Sequence, residues 1–200
     1  TNWLDQTVPV QTTGVASFPA NATNATVTVN TAATVGALNV EGSYTFNGAS
    51  VLTLAGNAGA PAIAISADTE FKNPLTLAAG IEAIPQLNGR RLIVGSVAGT
   101  GAALTLTNVG MLQVNGGTVS VPVNVKTGVL EIVNSGTVSG DVLFGAGSRI
   151  DSWSDGTLSG DVSLGMGERV MRPIDGALTV SGKVTGFGAL TKDGAGTLAL

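Results

Sequence analysis

The apolar residues of this chain come in short alternating strings. Thr26-Val27-Thr28-Val29, Val51-Leu52-Thr53-Leu54, Ala62-Ile63-Ala64-Ile65 and Leu104-Thr105-Leu106-Thr107 interleave aliphatic side chains with threonine or alanine. A period of two, rich in β-branched residues, predicts strands with one buried face. The strings are punctuated by Asn47-Gly48, Asn57-Ala58-Gly59, Asn88-Gly89 and Asn115-Gly116-Gly117, which supply the positive-φ positions that tight turns need. The pattern therefore predicts a nearly all-β protein. Only residues 78–91 depart from it, because Glu82 and Pro85 interrupt the alternation, and this stretch is expected to leave the body of the protein as a loop excursion or short helical turn.

A repeat decides how the strands are arranged. Gly117-Thr118-Val119-Ser120, Gly136-Thr137-Val138-Ser139, Gly156-Thr157-Leu158-Ser159, Gly176-Ala177-Leu178-Thr179 and Gly196-Thr197-Leu198-Ala199 follow one another at a nearly constant interval. A second series, Gly128-Val129-Leu130-Glu131-Ile132, Gly147-Ser148-Arg149-Ile150, Gly167-Glu168-Arg169-Val170 and Gly188-Ala189-Leu190-Thr191, lies between them, and a third tracks Val123, Val142, Val162 and Val184. Three short strands in each unit of about 20 residues predict one coil of a parallel β-helix with glycines at the corners. In such a coil, inward Val and Leu stack on their counterparts above and below, strand to strand about 4.8 Å apart, and the crossovers are expected to be right-handed. A chain of 200 residues then makes about nine or ten coils and a rod of roughly 45 Å as a single unit spanning 1–200. A β-sandwich is the competing all-β arrangement, but hairpin-linked strands give no reason for sequence to recur at a fixed interval.

Composition narrows the chemistry. Only 11% of residues are charged against 44% hydrophobic, so the signature of a disordered chain is missing. The net charge of −4, with Arg90-Arg91 as the only basic pair, argues against a nucleic-acid partner, since phosphate contacts need a basic surface. Histidine and cysteine are both absent, which removes thiolate nucleophiles, Ser-His and Cys-His catalysis, and imidazole or thiolate metal sites together. No cofactor is expected. The lack of cysteine also suits a chain that crosses an oxidising periplasm unfolded. No charged and apolar leader opens the sequence and no apolar run is long enough to span a bilayer, so it reads as a mature or excised chain that inserts no segment of its own into a membrane.

The stretch Gly186-Phe187-Gly188-Ala189-Leu190-Thr191-Lys192-Asp193-Gly194-Ala195-Gly196-Thr197-Leu198-Ala199-Leu200 resembles the autotransporter-associated β-strand repeat, of the form G-x-G-x-L-T-K-x-G-x-G-T-L-x-L. Trp3, Ala16-Ser17-Phe18, Ala33-Thr34-Val35-Gly36-Ala37-Leu38, Tyr44-Thr45-Phe46 and Leu52-Thr53-Leu54 are similar to the lead-in of the same units. The motif covers about a tenth of the chain and the lead-in about a quarter. The resemblance implies a segment of a bacterial autotransporter passenger, or of a related giant surface protein, that reaches the cell surface or the medium through the periplasm. It implies a translocating β-barrel elsewhere in a longer parent chain, and a coil edge open at Leu200.

Three places carry candidate chemistry. Asp141 and Asp161 follow glycines at the same repeat position, so stacked coils bring their carboxylates to about 5 Å, with Lys183 on the next rung. That spacing suits a shared Ca²⁺ or the acid and nucleophile of a retaining glycosidase, and equally suits turn residues neutralised by Lys183. Asp151-Ser152-Trp153-Ser154-Asp155 sets an aromatic platform among carboxylates, and Arg149, Arg169 and Arg172 add donors for a sugar acid. The alternative is that Trp153 covers an apolar ladder while Arg149 and Arg169 pair with Asp151 and Glu168 on the solvent face. Glu82, Arg90 and Arg91 would be surface contacts of the 78–91 excursion. Thr28, Thr105 and Thr107 raise the idea of an ice-binding threonine array, but the threonine positions do not recur in every coil, and the Asn21 and Asn24 sequons matter only in a eukaryotic secretory route.

With no catalytic constellation, the expected function is a non-enzymatic scaffold or adhesin. Its partners would be a host or neighbouring-cell surface protein or glycan, with self-association through open edges or flat faces. The alternative is a polysaccharide lyase or hydrolase using Asp, Arg and Lys on one face, which requires Asp141, Asp161, Arg149 and Arg169 to converge in one groove.

Overall fold

The computed structural model describes residues 10–20, 25–56 and 62–200. Trp3, the Asn57-Ala58-Gly59 turn and the sequon residues Asn21 and Asn24 lie outside the described residues. Among the described residues there is no helix, and the strands form three parallel sheets of 11, 9 and 6 members wound as a β-solenoid of about nine turns. In the regular part each coil visits the first sheet, then the third, then the second: Val97–Ala98, Ala103–Leu106 and Met111–Asn115 make one circuit, and Thr118–Val119, Val123–Val125 and Gly128–Val133 the next. Parallel pairing between coils satisfies the backbone of each strand with the coils on either side.

The repeats of the sequence are the stacking register where coil length is constant. Thr118, Thr137 and Thr157 align, as do Val119, Val138 and Leu158. Val123, Val142, Val162 and Val184 form one continuous ladder of the third sheet. Three expected alignments are displaced, the first being Gly128, which pairs with Ser148 and not with Gly147. Leu158 pairs with Val180, and Leu178 pairs with Gly156, a slip of two positions that keeps the same face inward. Arg149 pairs with Val170 and not with Arg169, a slip of one, which in a strand reverses the face of every side chain.

The core is a set of ladders running the length of the rod. Val27, Phe46, Phe71, Val94, Val114, Ile132, Ser152 and Pro173 follow one another in register along the second sheet, each buried. In the N-terminal coils this ladder is aromatic. The Phe46 and Phe71 rings stack with centroids 4.5 Å apart and planes within 10°, and Phe18 meets Phe46 edge-on at 4.9 Å. Tyr44 joins the cluster and donates its hydroxyl hydrogen to the Pro19 carbonyl at 3.1 Å. Glycine is required where corners pass closest. Gly140, Gly160 and Gly182 occupy successive coils, and a Cβ on Gly160 or Gly182 would lie 2.3 or 2.0 Å from the carbonyl oxygen of the glycine beneath.

Residues 78–91 do not leave the rod. Glu82–Ala83 is a strand paired with Ala103 and Leu104, and Gln86 bridges to Ala64. The alternation also persists through the stretch: Ala83, Pro85 and Leu87 are buried, while Glu82, Ile84 and Gln86 are exposed. Proline at an inward position keeps the period of two while removing only a backbone donor. The expectation of an excursion came from taking Glu82 and Pro85 as breaks in the alternation, whereas Glu82 takes an outward position and Pro85 an inward one. Glu82 is used within the sheet, where it accepts from the Thr105 hydroxyl at 2.5 Å, and Arg91 opens a strand with its backbone N–H donated to Asp68 at 2.9 Å.

Candidate functional site

The outward face of the second sheet carries the densest polar chemistry. Because Leu112 and Val114 point into the core, Gln113 points away from it, and the register stacks Gln113, Glu131, Asp151 and Arg172 on four successive coils. Outward position usually means exposure, yet Glu131 is only 2% exposed and Asp151 only 1%. A parallel column of Met111, Val129, Arg149 and Val170 runs beside them in register on the same face.

Buried carboxylates need partners, and these have them. The Gln113 side-chain amide donates to Glu131. Asp151 accepts from two arginines: Arg149 Nε at 2.8 Å on Oδ1, and Arg172 through Nη2 at 2.8 Å on Oδ2 and Nε at 3.2 Å on Oδ1. The second pairing is the bidentate fork that suits guanidinium to carboxylate. Hydrogen bonding to Asp151 raises the Arg172 guanidinium above its ordinary value, against an opposing effect of burial. With the folded value raised, this contribution to stability is fully present below the ordinary arginine range and is lost only in strong alkali. We expect Asp151→Asn to lower stability by about 1–2 kcal/mol, since the partly exposed arginines can still reach water. Urea midpoints at low and high salt check it, and the gap between wild type and variant should narrow as salt screens the pair.

The structure brings together Arg149, Asp151 and Arg172, and places Trp153 at the rim of the same face, 52% exposed. Arg169 is not part of that group. The one-position slip turns it inward, 3% exposed, where Nε donates to the Phe144 carbonyl at 2.8 Å, Nη1 to the Glu168 carbonyl at 2.7 Å and Nη2 to the Met166 carbonyl at 2.5 Å. It therefore offers nothing to a surface ligand and holds the corner at 165–168. Asp155 lies at the corner beyond Trp153, and its carboxylate accepts the Ala177 N–H of the next coil at 3.0 Å.

Asp141 and Asp161 stack on successive coils with Lys183 above them, as the repeat implied, but each carboxylate bonds main chain. Asp141 accepts the Asp161 N–H and Asp161 the Lys183 N–H, both at 2.9 Å. Asp68, Asp141, Asp155 and Asp161 thus share one device, an aspartate that captures an amide of the next coil. Among the described residues, no three acidic side chains converge in a way that could hold a metal ion. The threonines do not form one array: Thr28 belongs to the second sheet and Thr105 to the third, where Thr105 is buried between Glu82 and Asn124. Sequence reading missed Glu131 and Gln113. The one-coil spacing from Glu131 to Asp151 was the available signal, hidden by aligning Gly128 with Gly147 instead of with Ser148.

The fold defines a parallel β-solenoid with a shielded polar column on one sheet. Compared with family models, curated proteins and solved structures, the chain matches none of them.

Proposed function

We propose that the chain is a passenger segment of a bacterial surface protein, a stiff scaffold that binds a protein or glycan of a host or neighbouring cell without catalysis. The observation that carries this reading is the employment of the carboxylates. Asp141, Asp155 and Asp161 hold neighbouring coils together and Asp151 is held by two arginines, so these acids are structural ties. The four residues a carbohydrate-active site would need are scattered. Asp141 and Asp161 lie where the first sheet turns to the third, Arg149 on the outward second sheet and Arg169 inside the rod. What the surface offers instead is Trp153 beside the arginine pair, on a rigid face suited to stacking on a sugar ring or an apolar side chain. The similarity of residues 186–200 to the autotransporter-associated repeat supports a surface or extracellular location, with export through the periplasm by a barrel elsewhere in the parent chain.

The test is binding on glycan and host-matrix arrays, with a reducing-end assay in parallel, for wild type, Trp153→Ala and Asp161→Asn. We expect binding to be lost in Trp153→Ala with an unchanged melting temperature, and no product from any of the three. Release of reducing ends that disappears in Asp161→Asn would overturn the scaffold reading, and binding unaffected by Trp153→Ala would remove this face from it.

A further inference from the structure

Aspartyl-glycine sequences are chemically fragile when the glycine nitrogen can reach the side-chain carboxyl carbon. The nitrogen attacks that carbon and forms an N–C bond. The carboxyl hydroxyl leaves with the amide proton as water, and a five-membered succinimide closes. A second water then opens the ring at either carbonyl, giving back aspartate or giving isoaspartate, in which the main chain runs through the former side chain. Nothing is oxidised or reduced, and water is the only co-reactant. The step is governed by proximity, with reacting atoms about 3–3.5 Å apart in a competent geometry. Most native backbones hold the two groups apart.

Three Asp-Gly pairs fall at the corner between the second and first sheets, and the solenoid treats them differently. At Asp175-Gly176 the glycine N–H points to the aspartate's own Oδ1 at 2.9 Å, and at Asp193-Gly194 at 2.8 Å, which brings each carboxyl carbon beside the nitrogen that would attack it. All four residues are exposed to water. Both glycines have positive φ, 68° and 89°, and carry no Cβ to shield the nitrogen. At Asp155-Gly156 the carboxylate is turned to the next coil, where it accepts the Ala177 N–H, and Gly156 is buried in a strand against Leu178.

Two of the asparaginyl-glycine corners are restrained in the same way. Gly89 donates its N–H to Val109 at 2.6 Å and Gly116 to Val133 at 3.1 Å, while the Asn88 and Asn115 side chains are tied to Ile65 and Asn134. We propose that Asp175 and Asp193 are sites of spontaneous isoaspartate formation in the folded protein, and that inter-coil bonding protects Asp155. This does not depend on the functional reading above. The consequence at Asp175 is mechanical. Gly176 sits so close to the preceding corner that a Cβ would lie 2.8 Å from Asp155 Oδ1, and Ala177 is bonded to that same carboxylate. One added backbone carbon at 175 displaces Ala177 from Asp155 and loosens the corner that presents Trp153.

The test is incubation of the folded full chain at mildly acidic and at neutral pH, followed by digestion. Isoaspartate is located by electron-transfer fragmentation and counted by methyl transfer from S-adenosylmethionine with an isoaspartyl methyltransferase. Residues 175 and 193 should accumulate isoaspartate several-fold faster than 155, and faster at the lower pH, because the neutral carboxyl is the group that loses hydroxide with a proton. In denaturant the three sites should react alike. Asp175→Glu, whose ring closure would need six members, should abolish the signal at 175 and leave that at 193. Equal rates at all three sites in the folded chain, or a lead for Asp155, would overturn the proposal.

Discussion

Replacing Leu158 by aspartate should cost about 5 kcal/mol or more, enough to unfold the coils around it. Leu158 is fully buried in the first sheet, between Val138 on one coil and Val180 on the next. Its removal forfeits about 2–3 kcal/mol of apolar burial. The carboxylate that replaces it meets a ladder of aliphatic groups with no donor aimed at it, and burial of an unpaired charge adds several kcal/mol more. Since whole domains are stable by only about 5–15 kcal/mol, the effect is decisive. A solenoid unfolds by neighbouring units and not in one step, so hydrogen exchange is the informative readout alongside melting. Protection should be lost first in strands flanking Gly156–Leu158 and persist in the N-terminal coils. Thr157→Asp, one position away on the outward side, is the control and should change little. A melting temperature unaffected by Leu158→Asp would mean that this side chain faces solvent.

The aromatic ladder gives the second large effect. Phe71 is fully buried, stacked on Phe46 and followed in register by Val94. Phe71→Ala should cost about 3–5 kcal/mol, of which about 1 kcal/mol is the ring-to-ring term. Because neighbouring coils are locked by parallel pairing on both sides, the walls cannot collapse into the space, and the cost should fall toward the upper end. Near-ultraviolet circular dichroism should lose intensity in the same variant, since Phe18, Tyr44, Phe46 and Phe71 form one cluster. Phe71→Leu should recover most of the stability and little of the dichroism. Equal stability of Phe71→Ala and wild type would show that the ladder does not bear on the N-terminal coils.

The solenoid was legible where coils have constant length. Val119 pairs with Val138 and Val138 with Leu158, circuits of nearly equal length, so equivalent positions recur and the register can be read directly. Nearer the N-terminus, Leu52 pairs with Leu75, Leu75 with Val97 and Val97 with Val119, and each of these circuits is longer than the two from Val119 to Leu158. The ladders continue there unbroken, but the extra corner residues shift the phase and erase the repeat from the sequence. A further obstacle is that Ala33–Val40 is one strand that pairs with Leu52–Leu54 through its first half and with Ile63–Ile65 through its second. Gly36 lies where the first half gives way to the second, but the strand runs on through it as one element of the same sheet, so the alternation along it does not show the change of partner.

The site shows the same division. Arg149, Asp151, Trp153 and Arg172 stand out in the sequence as a charged and aromatic cluster in an apolar chain, and they do share one face. Composition and period two were sufficient for the all-β class and the inward aliphatic positions, and the repeat for the length of the coil and the stacking of Asp141 on Asp161, because these follow from spacing along the chain alone. Only the packed structure decided that Arg169 points inward, that Glu131 and Gln113 join the column of Asp151, and that 78–91 stays on the rod. The first two depend on how many residues a corner consumes, since one residue more or less carries every following side chain to the opposite face of the sheet, and the third on the partners that Glu82–Ala83 finds in the next coil.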